Sequence, residues 1–127
     1  MGKMTIHVDA KVEGKSTEFT FNWEGDDPEI KNVMEFIEQR ADEANITPET
    51  FTHSTLRELP ATGLLKEPGA QQVQMMAILY TVLQMPTRSP DRPGSIYNYA
   101  ASENIDATLI VGDKGVSGHI EGRHLGH

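Results

Sequence analysis

The segment TIHVDAKVEGKSTEFTFNW, residues 5–23, alternates apolar and polar side chains in two runs that meet near Gly14. Alternation with a period of two is typical of strands that bury one face. If Gly14 and Lys15 form a two-residue turn, glycine supplies the positive φ that such turns need. The register that follows sets Ala10 opposite Phe19, Val8 opposite Phe21, Ile6 opposite Trp23 and Lys11 opposite Glu18. The sequence therefore predicts an N-terminal β-hairpin.

A helix is predicted directly after the hairpin. Asp26 and Asp27 suit the N-cap, and Pro28 follows at a position where a missing N–H costs nothing. Apolar residues then recur at helical spacing, which predicts one buried stripe. The stripe consists of Ile30, Val33, Met34, Ile37, Ala41 and Ala44.

Two further helices are predicted before residue 86. Thr47–Pro48 begins the first of them, and we expect it to end near Leu59 because Pro60 and Gly63 follow. The next one covers about Ala70–Met85 and is apolar around most of its circumference. Such a helix is buried between layers or in a subunit interface.

The C-terminal part contains a short apolar run, Ala107–Val111, followed by a turn at Gly112–Gly115. Runs of strands and runs of helices, rather than strict alternation, favour an antiparallel or mixed sheet. We therefore predict one α+β domain over residues 4–116, with the hairpin, three helices and a C-terminal strand or hairpin (ββαααββ), the sheet packed on the helices.

The chain's last segment, Ser117–His124, resembles the leader of a common bacterial expression vector. Within it, Ile120–Arg123 is similar to a factor Xa protease site. The resemblance implies that residues 117–127 are an expression-tag remnant. At the other end, Met1, Gly2 and Lys3 precede a second methionine, Met4, and look like cloning residues.

Setting this tail aside removes three of the five histidines, and with them the best metal-ligand pattern. Two isolated histidines, His7 and His53, do not make a metal site. The turn at Gly112–Gly115 nevertheless calls for a following strand, which would consist of Val116 and tail residues. Either the natural protein continues further, or the tail is disordered and Ala107–Val111 has another neighbour.

Composition excludes several classes of protein. The 127 residues include no cysteine, so disulfides, thiolate metal sites and a cysteine nucleophile are excluded. A net charge of −8 argues against nucleic-acid or anionic-membrane binding. The longest apolar run, Met75–Leu83, is too short to span a membrane, and we expect a cytoplasmic protein. With no catalytic motif in the sequence, we expect no enzymatic activity, cofactor or metal.

The first predicted helix and its flanks carry most of the negative charge. Residues 24–49 contain nine acidic and two basic side chains, a net charge of −7. Such a surface can dock a basic partner or mimic a phosphate backbone. The alternative is an ordinary solvated helix face. The candidate binding residues here are Glu35, Glu38, Asp42 and Glu43.

A long connection, residues 86–104, combines prolines with arginine and tyrosine. Arginine binds phosphate or carboxylate in a bidentate manner, and tyrosine stacks on bases or anchors an interface. The candidate residues are Arg88, Arg92, Tyr97, Asn98 and Tyr99, which Arg57 could join if its helix lies alongside. The alternative is a proline-stiffened crossover whose tyrosines cover the core.

These features lead to two hypotheses. The first is a small acidic binding protein that docks on a macromolecular partner, most simply a protein, through the acidic helix and the loop; such cysteine-free domains are associated with phages and mobile elements. The second is a binder of a nucleotide or phosphorylated ligand that uses Arg88, Arg92, Tyr97 and Tyr99 at a subunit interface. The methionines of Ala70–Met85 suggest a homodimer through that helix.

Overall fold

The computed structural model describes the backbone of residues 2–25, 27–84 and 104–123, and the side chains of residues 4–24, 29–84 and 106–119. Within these ranges the elements follow the order ββαααββ, so the predicted α+β class is confirmed. The strands are β1 (Gly2–Val12), β2 (Lys15–Gly25), β3 (Asn104–Gly112) and β4 (Gly115–Arg123). The helices are α1 (Asp27–Glu43), α2 (Pro48–Thr62) and α3 (Pro68–Leu83).

The four strands form one mixed sheet in the order β2-β1-β3-β4. β1 pairs antiparallel with β2 and parallel with β3, and β3 pairs antiparallel with β4. Alternate residues of β1 and β3 are buried on the face that the helices cover, and the intervening residues face outwards. The buried strand residues are Met4, Ile6, Val8, Ala10, Val12, Ala107, Leu109 and Val111.

The turn of the first hairpin is Glu13–Gly14, with φ angles of 53° and 79°, so the predicted turn at Gly14–Lys15 is wrong by one residue. Positive φ at both central residues is the type I′ geometry, in which glycine suits the second position. Moving a turn by one residue shifts the pairing by two, and every side chain therefore keeps its predicted face. The observed pairs are Val8 with Phe19, Ile6 with Phe21, Met4 with Trp23 and Asp9 with Glu18.

The apolar stripe predicted for α1 packs against the sheet. Ile30, Val33, Ile37 and Ala41 are buried, and Met34 is half-buried. The predicted member Ala44 lies past the end of the helix and is exposed.

Asn45, at φ 59°, ends α1 in a left-handed conformation. The Ile46 amide then donates to the Ala41 carbonyl oxygen at 3.0 Å, and the Asn45 amide to that of Asp42 at 3.0 Å, which is the Schellman arrangement.

α2 begins as predicted, because the Thr47 hydroxyl oxygen accepts a hydrogen bond from the Thr50 amide at 3.1 Å. It does not end at Leu59, however, but continues through Pro60 to Thr62. A proline this close to the C-terminal end removes one backbone hydrogen bond, and the helix tolerates the loss. Gly63, at φ 63°, then terminates it.

α3 begins two residues earlier than predicted and ends at Leu83. Its apolar side chains from Val73 to Leu83 are all buried or half-buried within the chain itself. Packing of α3 against α2 and the sheet thus largely explains its apolar circumference. Of the two environments predicted for this helix, burial between layers and burial in a subunit interface, the structure shows the first. The homodimer through this helix stays a prediction.

Residues 117–123 of this tail pair with the rest of the sheet. β4 runs from Gly115 to Arg123, and Ile110 pairs with Ser117, Thr108 with His119 and Ala107 with Ile120. The strand that the turn calls for is thus present and consists largely of residues assigned to the vector remnant. The resemblance to a vector stays a prediction about the origin of these residues, but they belong to the sheet.

None of the helices within residues 27–84 combines the length and the apolar character that crossing a bilayer requires.

Candidate functional site

Three of the four acidic residues predicted on α1 form one surface. Glu35, Glu38, Asp42 and Glu43 are all exposed. At about 100° per residue, the first three lie within an arc of about 60° on one flank of the helix, and Glu43 points about 100° away from Asp42. We refer to Glu35, Glu38 and Asp42 as the acidic stripe.

The contacts around the acidic stripe leave it strongly negative. Lys31 Nζ lies 3.8 Å from Glu35 Oε1, and both side chains are well exposed, at 75% and 63%. The second basic residue of α1, Arg40, instead places its guanidinium carbon 5.1 Å from the centroid of the Phe36 ring. Within the described side chains, Glu38 and Asp42 have no basic group within 4 Å.

The acidic stripe destabilises the helix that carries it. Glu35 with Glu38, and Glu38 with Asp42, are like-charge pairs at spacings of three and four residues, each of which costs about 0.2–0.5 kcal/mol. Asp42 and Glu43 also lie in the last turn of α1, where the helix dipole disfavours anions by about 0.3–1 kcal/mol each. The Gln39 amide donates to the Glu43 carboxylate at 3.3 Å.

The predicted loop residues Arg88, Arg92, Tyr97, Asn98 and Tyr99 lie outside the described residues. The ligand-binding hypothesis built on them stays a prediction.

Comparison with protein-family models, curated proteins and solved structures finds no match for this chain. Function must therefore be argued from the geometry of this chain alone.

A cleft that sequence reasoning missed lies between α2 and the β3–β4 turn. Its volume is about 390 Å³, and the described residues that line it are His53, Lys114, Gly115, Val116 and Ser117. Beside it, Arg57 Nη1 donates to the Asp113 carbonyl oxygen at 3.0 Å. We refer to this feature as the turn cleft.

The only sequence signal for the turn cleft was weak. His53 and Arg57 are four residues apart on a predicted helix, so they share a face. No local pattern relates residue 53 to residue 114.

A second cavity, of about 270 Å³, lies between α2 and α3 and is lined by Thr55, Glu58, Thr62, Leu65, Ala70, Val73 and Gln74. Gln74 closes part of it with hydrogen bonds to the α2–α3 connection. Over the side chains that the structure describes, no group of three or more histidine or carboxylate residues is placed to hold a metal ion.

Proposed function

We propose that this protein is a non-enzymatic binding protein that docks on a positively charged partner protein through the acidic stripe of α1. The observation that carries the proposal is the placement of the carboxylates. They are exposed, they repel one another along one flank, and two acidic residues occupy the helix end that disfavours them.

An ordinary solvated helix face also carries charged side chains, but it does not require like charges at spacings of three and four residues along one flank. An ordinary exposed helix mixes both signs at spacings of three and four residues, which stabilises it. Here only Lys31 serves that purpose on the stripe. A partner's lysine or arginine side chains would relieve the repulsion between these carboxylates on binding. That relief would add to the affinity, and the negative charge would make association fast and salt-dependent.

Seven residues separate Glu35 from Asp42, which places them about 10 Å apart along the helix axis. The stripe therefore offers three carboxylates over two helical turns. This spacing suits basic side chains that recur on a partner's helix or strand, and it is too small to be a complete interface. Neighbouring surface must contribute the rest of the contact area.

The proposal is tested by a combined variant, Glu35→Gln, Glu38→Gln and Asp42→Asn, compared with the unchanged chain. Both proteins would be immobilised at low salt and exposed to extract of the natural host, and the retained proteins would be identified by mass spectrometry. We expect basic proteins that the unchanged chain retains to be lost from the variant, and to be released by added salt.

A matched control neutralises three carboxylates elsewhere, with Asp9→Asn, Glu18→Gln and Glu58→Gln. These residues are exposed on β1, β2 and α2. The control should retain the same proteins as the unchanged chain. If the stripe variant binds the same set at low salt, the acidic stripe is not a docking surface.

A further inference from the structure

The turn cleft is a positively polarised concavity in an acidic chain. The whole protein carries a net charge of −8, yet none of the five described residues that line the cleft is acidic. Two of them, His53 and Lys114, supply nitrogen donors. Within the described residues, neither His53 nor Lys114 has a carboxylate within 4 Å.

Two described carboxylates, those of Asp113 and Glu49, adjoin lining residues of the turn cleft but do not line it themselves. The Asp113 carboxylate accepts a hydrogen bond from the Glu13 amide at 2.8 Å, which ties it to the other hairpin turn. Glu49 shares with His53 the lining of a separate, smaller cavity of about 110 Å³. Among the described residues, the lining of the turn cleft therefore contains no carboxylate.

The turn that carries Lys114 is held at two points. Arg57 donates to the Asp113 carbonyl oxygen, and the Asp113 side chain accepts from Glu13. Gly115, at φ 139°, completes the turn in a conformation that side-chain-bearing residues rarely adopt. The backbone next to Lys114 is thus fixed before any ligand arrives, which lowers the entropic cost of binding.

We propose that the turn cleft binds a small phosphorylated molecule, with Lys114 and His53 as donors to the phosphate oxygens and the Arg57 guanidinium as a neighbouring positive charge. Ammonium and imidazole groups donate hydrogen bonds to phosphate in proteins, and hydrogen bonds between charged groups are about twice as strong as neutral ones. This site is independent of the acidic stripe, which lies on α1.

The size of the turn cleft indicates an organic phosphate rather than the bare ion. A volume of about 390 Å³ falls within the range of about 300–1,000 Å³ typical of small-molecule sites. Val116, half-buried at the cleft, provides an apolar contact for the organic part.

The test is a titration of the ¹⁵N-labelled protein with glycerol phosphate and with inorganic phosphate at constant ionic strength, followed by amide chemical shifts. We expect saturable shifts at Gly115, Val116 and Ser117, with a dissociation constant of about 1 mM or lower for glycerol phosphate and weaker binding of inorganic phosphate. Lys114→Met should weaken glycerol phosphate binding at least about tenfold. Lys114 is exposed on a turn, so an unchanged urea midpoint would show that the variant folds.

Lys66→Met is the matched control, because it removes the same charge from an exposed position in the α2–α3 connection. It should leave the titration unchanged, as should the α1 stripe variant. Shifts that do not saturate by about 10 mM ligand would overturn the proposal. So would equal weakening by Lys66→Met, which would mean that phosphate senses only net charge. Either outcome leaves the docking proposal for α1 untouched.

Discussion

Gln74 is a polar side chain buried where the chain turns from α2 into α3. It is 4% exposed, its carbonyl oxygen accepts from the Leu65 amide at 2.8 Å, and its amide nitrogen donates to the Gly63 carbonyl oxygen at 3.0 Å. Gln74→Leu keeps a similar volume but leaves those backbone groups unpaired, so we expect the free energy of unfolding to fall by about 1–3 kcal/mol. Urea denaturation measures this, with the exposed neighbour changed in Gln72→Leu as the control. An equal loss in both variants would contradict the role given to Gln74.

The contrast between Thr47 and Gln74 shows what the sequence predicts at this scale. The N-cap at Thr47 could be predicted because its partner, Thr50, is three residues away in the same helix. Gln74 reaches backbone groups nine and eleven residues earlier, in a connection without regular structure. Its burial depends on how two helices pack, which no local pattern encodes.

The first hairpin sets two like charges side by side. Asp9 on β1 lies opposite Glu18 on β2, both on the outer face of the sheet, where directly opposed like charges are destabilising. Asp9→Asn should therefore raise the free energy of unfolding by about 0.2–1 kcal/mol at low salt, and less at high salt. Glu24→Gln, on β2 opposite Lys3, is the control and should not raise the free energy of unfolding, because it removes a favourable pair. An Asp9→Asn variant that is no more stable than the unchanged chain would contradict the pairing of Asp9 with Glu18.

The existence and buried faces of the strands and helices were easier to predict than the register of the first hairpin and the end of α2. Alternation in β1 and β2 and the apolar stripe of α1 depend on residues close in sequence, and both faces were correct. The turn was displaced because Gly14 can serve as the first or the second residue of a two-residue turn, and both choices keep the apolar residues together. Pro60 and Gly63 were both taken as stop signals for α2, but Pro60 lies within the last turn and only Gly63 ends the helix.

The resemblance of residues 120–123 to a factor Xa site allows the stability of the C-terminal strand to be tested by proteolysis. Residues 120–123 lie in β4, hydrogen-bonded to β3, so a protease must first open the end of that strand. We expect factor Xa to remove residues 124–127 at least about tenfold more slowly from the folded chain than from a synthetic peptide of residues 113–127. Mass spectrometry measures both rates. Equal rates would mean that β4 gives Arg123 no protection.

The acidic stripe could be predicted from the sequence, whereas the turn cleft could not. The acidic stripe lies on one helix, so helical spacing alone placed Glu35, Glu38 and Asp42 together and could have set Glu43 apart. The turn cleft joins α2 to a hairpin about sixty residues later, and only the three-dimensional packing of α2 against the sheet unites His53 with Lys114.

The hydrogen bond between the two hairpin turns, and the parallel pairing of β1 with β3, join residues about one hundred positions apart. At about 5–20 residues per second, a ribosome needs about 5–20 s to make the chain between them. During that time β1 is paired only with β2. The other edge of β1, which pairs with β3 in the folded protein, can pair with strands of other chains. Long-range pairing of this kind also slows folding once synthesis ends. The yield of native protein in a cell should therefore depend on how long this half-built sheet escapes aggregation.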